Sequence, residues 1–160
     1  MEAERVLVIG VGRIGAVTAV GLAHLLHDVT GVDTNAGRVE ELQAGRLREA
    51  EPGLRAALRS ALRLRRLRFA QGVAPAGFDF AFLCVDTPPL PGGEPDLRQL
   101  FAAAEFAART VRTGGIVVTR STVPPGTGDR LEAALRAAGR GDLGVVHVPE
   151  FLREGRAWED

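Results

Sequence analysis

The sequence predicts a doubly wound α/β domain on one parallel sheet. Short β-branched runs alternate with longer stretches of helical periodicity along its length, the pattern of repeated βαβ units. Right-handed crossovers are nearly obligatory between parallel strands, so six such strands wind helices onto both faces of the sheet. At 160 residues, 46% hydrophobic and 25% charged, the chain suits a single domain that buries roughly 70% of its unfolded surface. It is not a disordered polymer.

The strands expected are Arg5 to Ile9, Val29 to Val32, Leu67 to Ala70, Phe78 to Val85, Gly115 to Arg120 and Gly144 to Val148. After Gly12 a helix places Ile14, Val17, Gly21, Leu22 and Leu25 on one stripe for packing against the sheet. Leu54, Leu58 and Leu62 line a further helix, with Arg55, Arg59 and Arg63 on a neighbouring stripe. From Leu97 another carries Leu100, Phe101, Ala104, Ala108 and Val111. Asp96 reads as its N-cap and Gln99 as the capping-box partner. Gly139, after Ala134, Leu135 and Ala138, reads as a C-terminal stop. The chain closes on the polar run Ala157-Trp158-Glu159-Asp160 with no final helix, so a fragment of something longer is expected. Packing against a missing partner domain is the role expected of Trp158.

Composition removes several kinds of chemistry. The twenty basic side chains are all Arg and balance twenty acids, so no global field draws the chain to nucleic acid or an anionic membrane. Without Lys, Schiff-base and Lys general-base catalysis are excluded from these residues. Cys84 is alone, which excludes an internal disulfide and a Cys-ligated zinc site, and no metal site is expected. Its apolar setting, Phe80 to Val85, predicts a buried, inert thiol. The apolar start from Val6 to Ala23 is interrupted by Arg13 and preceded by Glu2 and Glu4, so it reads neither as a signal peptide nor as a membrane span. A cytoplasmic protein is expected.

Chemistry is expected where the strands end. Gly10-Val11-Gly12-Arg13-Ile14-Gly15 follows a strand and opens a helix, the context of a dinucleotide fingerprint. Gly10 makes the tight turn, Gly12 lets the backbone approach a pyrophosphate, and Gly15 lets helix and strand pack closely. Asp33, 18 residues beyond Gly15, supplies a carboxylate for the adenosine ribose diol and repels a 2′-phosphate, which favours NAD over NADP. Arg38 is a candidate contact for the adenosine or a phosphate. In an open parallel sheet ligands bind beyond the carboxyl ends of the strands, and Asp86-Thr87-Pro88, Ser121-Thr122 and Glu150 all fall there. Prolines 88, 89, 124, 125 and 149 keep these loops from continuing as strand or turning early into helix.

With Val32-Asp33, Glu51-Pro52-Gly53-Leu54, Val85 to Pro89, Ser121 to Thr127 and Pro149 to Gly155 added to the glycine turn, the chain resembles the N-terminal, Rossmann-type NAD-binding domain of the UDP-glucose/GDP-mannose 6-dehydrogenase family over nearly its whole length. The resemblance implies oxidation of a nucleotide sugar's C6 alcohol to a carboxylate with two NAD, through a thioester on the enzyme, for polysaccharide biosynthesis. UDP-glucose is the default substrate, and GDP-mannose and UDP-N-acetylhexosamines stay open. By the same resemblance Val85, Asp86, Thr87, Ser121 and Thr122 line the cofactor path and order water near the nicotinamide. Glu150, with Thr122, serves the acid/base work of thioester hydrolysis. Glu154 lies beside the nicotinamide ribose, and the stretch Glu150, Phe151, Leu152, Arg153 and Glu154 touches the sugar. The family's nucleophilic Cys and its Lys belong to a second domain not contained in residues 1–160, so these residues alone are expected to be inactive, and the whole protein to be a homodimer. Asp86 departs from the family, in which Pro or Gly usually precedes the Thr-Pro pair.

Two other readings share the glycine turn: a stand-alone, non-catalytic dinucleotide-binding module, and an NAD-dependent dehydrogenase of another class. The second of these does not account for the Glu150 to Glu154 run. The Arg residues at 55, 59, 63, 65, 66 and 68 lack interleaved aromatics and read as a solvated or subunit-facing surface. His147 reads as a hydrogen-bonded core or sheet-end residue, and His24 and His27 as complements to a helix C-terminus.

Overall fold

The computed structural model describes residues 2–49, 51–75 and 77–159; of the expected polar end, Asp160 lies outside them. In chain order the elements are β1 (Arg5–Ile9), α1 (Arg13–His24), β2 (Asp28–Val32), α2 (Ala36–Gln43), α3 (Leu54–Arg63), β3 (Leu67–Ala70), β4 (Phe78–Leu83), α4 (Arg98–Thr110), β5 (Val111–Thr119), α5 (Thr127–Ala137) and β6 (Gly144–His147). Among the described residues the six strands form one parallel sheet in the order β3-β2-β1-β4-β5-β6. The order reverses between β1 and β4, which opens the crevice where such sheets hold ligands.

The strict alternation of β1 divides the core. Val6 and Val8 face one side with Val29, Leu67, Phe69 and the apolar residues of α1, α2 and α3. Leu7 and Ile9 face the other, with Phe78, Ala81, Leu83 and the Ala-rich side of α4. The inner strands β1 and β2 bury both faces, as a parallel sheet covered by helices requires, while the edge strands β3 and β6 leave residues exposed.

Several expectations need correction. The buried face of α1 is Ala16, Val17, Ala19, Val20 and Ala23, while Leu25 is 65% exposed. Because α1 is apolar nearly all round, periodicity does not single out the face. Close approach to the sheet does, and it selects the small residues. α4 begins at Arg98 with Leu97 as N-cap, so Asp96 acts one residue further upstream than expected. Its carboxylate accepts from the Arg98 amide at 3.0 Å and pairs with the Arg98 guanidinium at 2.6 Å. These bonds pull the Asp96 carboxyl down to about 2.

β5 starts at Val111, directly after α4, rather than at Gly115. The Gly114-Gly115 pair falls within an irregularity of the β4–β5 register, between the Phe78–Val111 and Phe80–Ile116 pairings. There the Asp142 carboxylate accepts from the Gly114 amide at 3.0 Å. His147 ends β6 and is exposed, so of the two expected places it takes the sheet end. Trp158 packs on its own domain: its ring meets His24 edge-on, centroids 5.5 Å apart, and lies over Gly53. Among the described residues no helix is long and apolar enough to cross a membrane.

Candidate functional site

The glycine turn is built by contacts that only missing side chains permit. Gly10 sits at φ +84°, where a Cβ would fall 2.8 Å from the Cys84 carbonyl oxygen, and its amide donates to the Val32 carbonyl at 2.9 Å. A Cβ at Gly15 would lie 1.8 Å from the Gly10 carbonyl oxygen. At Gly12 the opposite holds: nothing lies within 4 Å of the added atom. Gly12 is also the N-cap of α1 and brings no side chain to the first-turn amides, so an open cradle faces the positive end of the helix dipole. The turn therefore fits a pyrophosphate.

Asp33 closes β2 beside it. Its Oδ2 accepts from the Val11 amide and its Oδ1 from the Asn35 amide, both at 2.9 Å. Each carboxylate oxygen keeps a lone pair for a hydroxyl donor. Asn35 in turn caps α2 by accepting from the Arg38 amide at 3.1 Å. Arg38 itself is buried: Nε donates to the Val11 carbonyl at 2.8 Å, Nη2 to the Gly12 carbonyl at 3.3 Å and to Glu49 Oε1 at 2.5 Å. Arg38 thus braces the turn, held by an acid that sequence reasoning missed.

Beyond the strand ends a cavity of about 220 Å³ collects Gly12, Arg13 and Ile14 from the turn, Cys84 to Thr87 after β4, Arg120 to Thr122 after β5, and Glu150 after β6. Two hydroxyls stitch its far wall. Ser121 Oγ donates to the Val85 carbonyl at 2.6 Å, and Thr87 Oγ1 to the Thr122 carbonyl at 2.9 Å. With their protons engaged, Ser121 and Thr87 can only accept from a bound group. Glu150 reaches the cavity from a short turn in which its Oε2 accepts from the Leu152 amide at 2.9 Å. Phe151, Leu152, Arg153 and Glu154 do not line it. Phe151 is 87% exposed, Leu152 leans on the α1 core, and Glu154 Oε1 lies 3.4 Å from Arg13 Nη1.

Cys84 is buried at the cavity's inner end, and desolvation pushes its thiol up to about 12. It stays protonated and unreactive. Arg120 is the second residue that the sequence did not flag. Its Nε is buried without a hydrogen-bond partner, and only its place one residue before Ser121 hinted at it. The charges around the cavity are then Asp86 and Glu150 against Arg13 and Arg120.

The Arg cluster anchors loops: Arg55 and Arg59 donate to the carbonyls of Leu47 and Gly45, and Arg66 to that of Leu26. A larger groove, about 930 Å³, opens between the 88–97 loop, α4 and α5. It lies away from the strand ends, and the smaller cavity is where the glycine turn and the loop acids converge. Among the described residues no cluster of His, Cys, Asp or Glu is placed to hold a metal ion.

A doubly wound sheet with a cradle at Gly12 and a carboxylate closing β2 is a dinucleotide-binding domain. Residues 4–160 match the family described as the UDP-glucose/GDP-mannose dehydrogenase family, NAD binding domain. The UDP-glucose 6-dehydrogenase of Rhizobium meliloti (strain 1021) is 40% identical over 160 residues, covering 98% of this chain and 37% of that protein. The solved UDP-glucose dehydrogenase of Pyrobaculum islandicum superposes with a TM-score of 0.87 at 44% identity, over 99% of this chain and 38% of its own. A GDP-mannose dehydrogenase from Pseudomonas aeruginosa, solved as a ternary complex, gives 0.89 at 33% identity, over 98% and 38%. The chain belongs to the UDP-glucose/GDP-mannose dehydrogenase family, as its NAD-binding domain. It spans a little over a third of the length of the relatives it matches.

Proposed function

We propose that this chain is the cofactor half of a nucleotide-sugar 6-dehydrogenase that oxidises the C6 alcohol of UDP-glucose to a carboxylate. UDP-glucose is favoured because it is named for the relatives at 40% and 44% identity, and GDP-mannose for one at 33%. The nucleophilic Cys and the Lys of the reaction belong to a second domain. The whole enzyme is a cytoplasmic homodimer that serves polysaccharide biosynthesis.

The observation that carries this reading is the meeting of Glu150 with Gly12 and Thr122 around one cavity, although they follow three different strands. NAD, when bound, supplies the hydride acceptor. The chain's own residues do the rest. The first-turn amides of α1 hold the pyrophosphate, Asp33 accepts from the adenosine ribose, and Val85, Asp86, Thr87 and Ser121 border the nicotinamide. Glu150 takes the proton from the water that attacks the thioester, with Thr122 placing that water. The run from Phe151 to Glu154 meets the sugar and the nicotinamide ribose.

The test uses the longer protein that contains both domains. It should reduce two NAD per UDP-glucose consumed. Glu150→Gln should form both NADH of a single turnover and then slow at thioester hydrolysis by roughly 10²- to 10⁴-fold, the usual size of a general acid/base contribution. Unimpaired hydrolysis in Glu150→Gln would remove Glu150 from the reaction. No turnover of any nucleotide sugar by the wild type would remove the activity.

A further inference from the structure

We infer that Glu51 is a positioning residue that fastens the Glu150 to Glu154 run to the glycine turn, so that binding at the turn and order in the run are coupled. Glu51 stands between α2 and α3, remote in sequence from everything it holds. Its side chain is 2% exposed. Oε1 accepts from the Gly155 amide at 3.1 Å and Oε2 from the Ala157 amide at 2.9 Å, partners 104 and 106 residues away. Arg13 Nε lies 3.6 Å from Oε1, while the other end of the same guanidinium reaches Glu154. Arg13 is the first residue of α1 and lines the cavity.

The segment beyond the run is anchored twice. Gly53 leaves the space that Trp158 fills: a Cβ there would fall 2.9 Å from the indole Cδ1. Ala157, between the two anchors, is buried. The residues from 148 to 154 are therefore pinned at one end by β6 and at the other by the Glu51 carboxylate and the Trp158 ring. A buried carboxylate persists only when its charge is met, and here two amides and one guanidinium meet it. Of the three, the guanidinium reaches the glycine turn. A ligand that restrains the turn restrains Arg13, and through Arg13 the grip of Glu51 on residues 155 and 157.

The coupling rests on the proposed NAD site, whereas the tether does not, and one experiment separates them. Amide exchange is followed by NMR for wild type, Glu51→Gln and Arg13→Ala, without NAD and at saturating NAD, with calorimetry on the same samples. Gln offers one acceptor oxygen instead of two and no charge for Arg13. Without NAD, Gly155 and Ala157 should exchange about tenfold faster or more in Glu51→Gln, while amides of β1 and β4 keep their wild-type rates. NAD should slow exchange at 155 and 157 in the wild type but not in Glu51→Gln at equal occupancy.

Arg13→Ala alters a partly exposed side chain and leaves the amide bonds in place. It should keep the slow NAD-free exchange and lose the response to NAD. Equal rates at 155 and 157 in wild type and Glu51→Gln would overturn the tether. An NAD response that survives in both variants would overturn the coupling. If wild type binds no NAD, the cofactor reading and the coupling fall together, and the NAD-free comparison still decides the tether.

Discussion

Gly15 approaches Gly10 so closely that a methyl group on it would stand 1.8 Å from the Gly10 carbonyl oxygen, while a methyl on Gly12, between them, would touch nothing within 4 Å. One pattern of three glycines thus contains two opposite requirements. The outer pair builds the fold, and the middle one leaves room for a ligand.

Opposite outcomes follow for two alanine substitutions. Gly15→Ala forces backbone against backbone and should lower stability by about 3 kcal/mol or prevent folding, at the upper end of overpacking costs. Gly12 has φ −59°, outside the left-handed region that favours glycine. Gly12→Ala should leave thermal stability within about 1 kcal/mol of wild type yet weaken NAD binding about tenfold or more, because the methyl fills the cradle. Thermal melts with and without NAD check both.

Arg38 should resist conservative replacement. Its planar fork bonds two carbonyls of the glycine turn and the Glu49 carboxylate at once, and a Lys ammonium cannot reproduce that geometry. Arg38→Met leaves Glu49 without its partner and should cost about 3 kcal/mol; Arg38→Lys should recover only part of that. Denaturant titrations give both values, and a Lys variant as stable as wild type would contradict the bracing role.

Cys84 gives the chain an alkaline limit. Burial holds its thiol near 12, above the ordinary value of 9.0, so the folded state keeps a proton that the unfolded state releases. Below pH 9 both states are protonated and stability is unaffected; above it the unfolded state binds fewer protons and stability falls. The limiting slope for one group is about 1.4 kcal/mol per pH unit. Cys84→Ala should flatten the profile between pH 9 and 12. At pH 8 a thiol reagent should label wild type only upon unfolding.

The sheet was legible because its strands are short apolar runs, β-branched or aromatic, bounded by glycine or polar residues: β1 and β3 match the expected spans at both ends, and β6 is one residue shorter. The glycine turn, Asp33 and Glu150 were legible because a parallel sheet gathers whatever follows its strands. What escaped depends on distance in sequence or on shape. Residues 51 and 157 give no local sign of their bond. Trp158 meets Gly53 and His24 only after the chain has crossed the sheet. The bonds of the Arg38 guanidinium to the carbonyls of the turn and to Glu49 appear only on folding. In α1, apolar on nearly every side, the buried face is chosen by close packing rather than by periodicity.

The central claim is a cofactor held between the amides at Gly12 and the carboxylate of Asp33. Calorimetric titration of wild type and Asp33→Ala with NAD and with NADP tests it most directly. The wild type should bind NAD and take NADP at least about tenfold more weakly, a difference of about 1.4 kcal/mol. Asp33→Ala should lose NAD affinity by about 1.5–3 kcal/mol, the size of hydrogen bonds to a charged group, together with the preference. Equal affinity of the wild type for both dinucleotides, or binding of neither, would contradict the account.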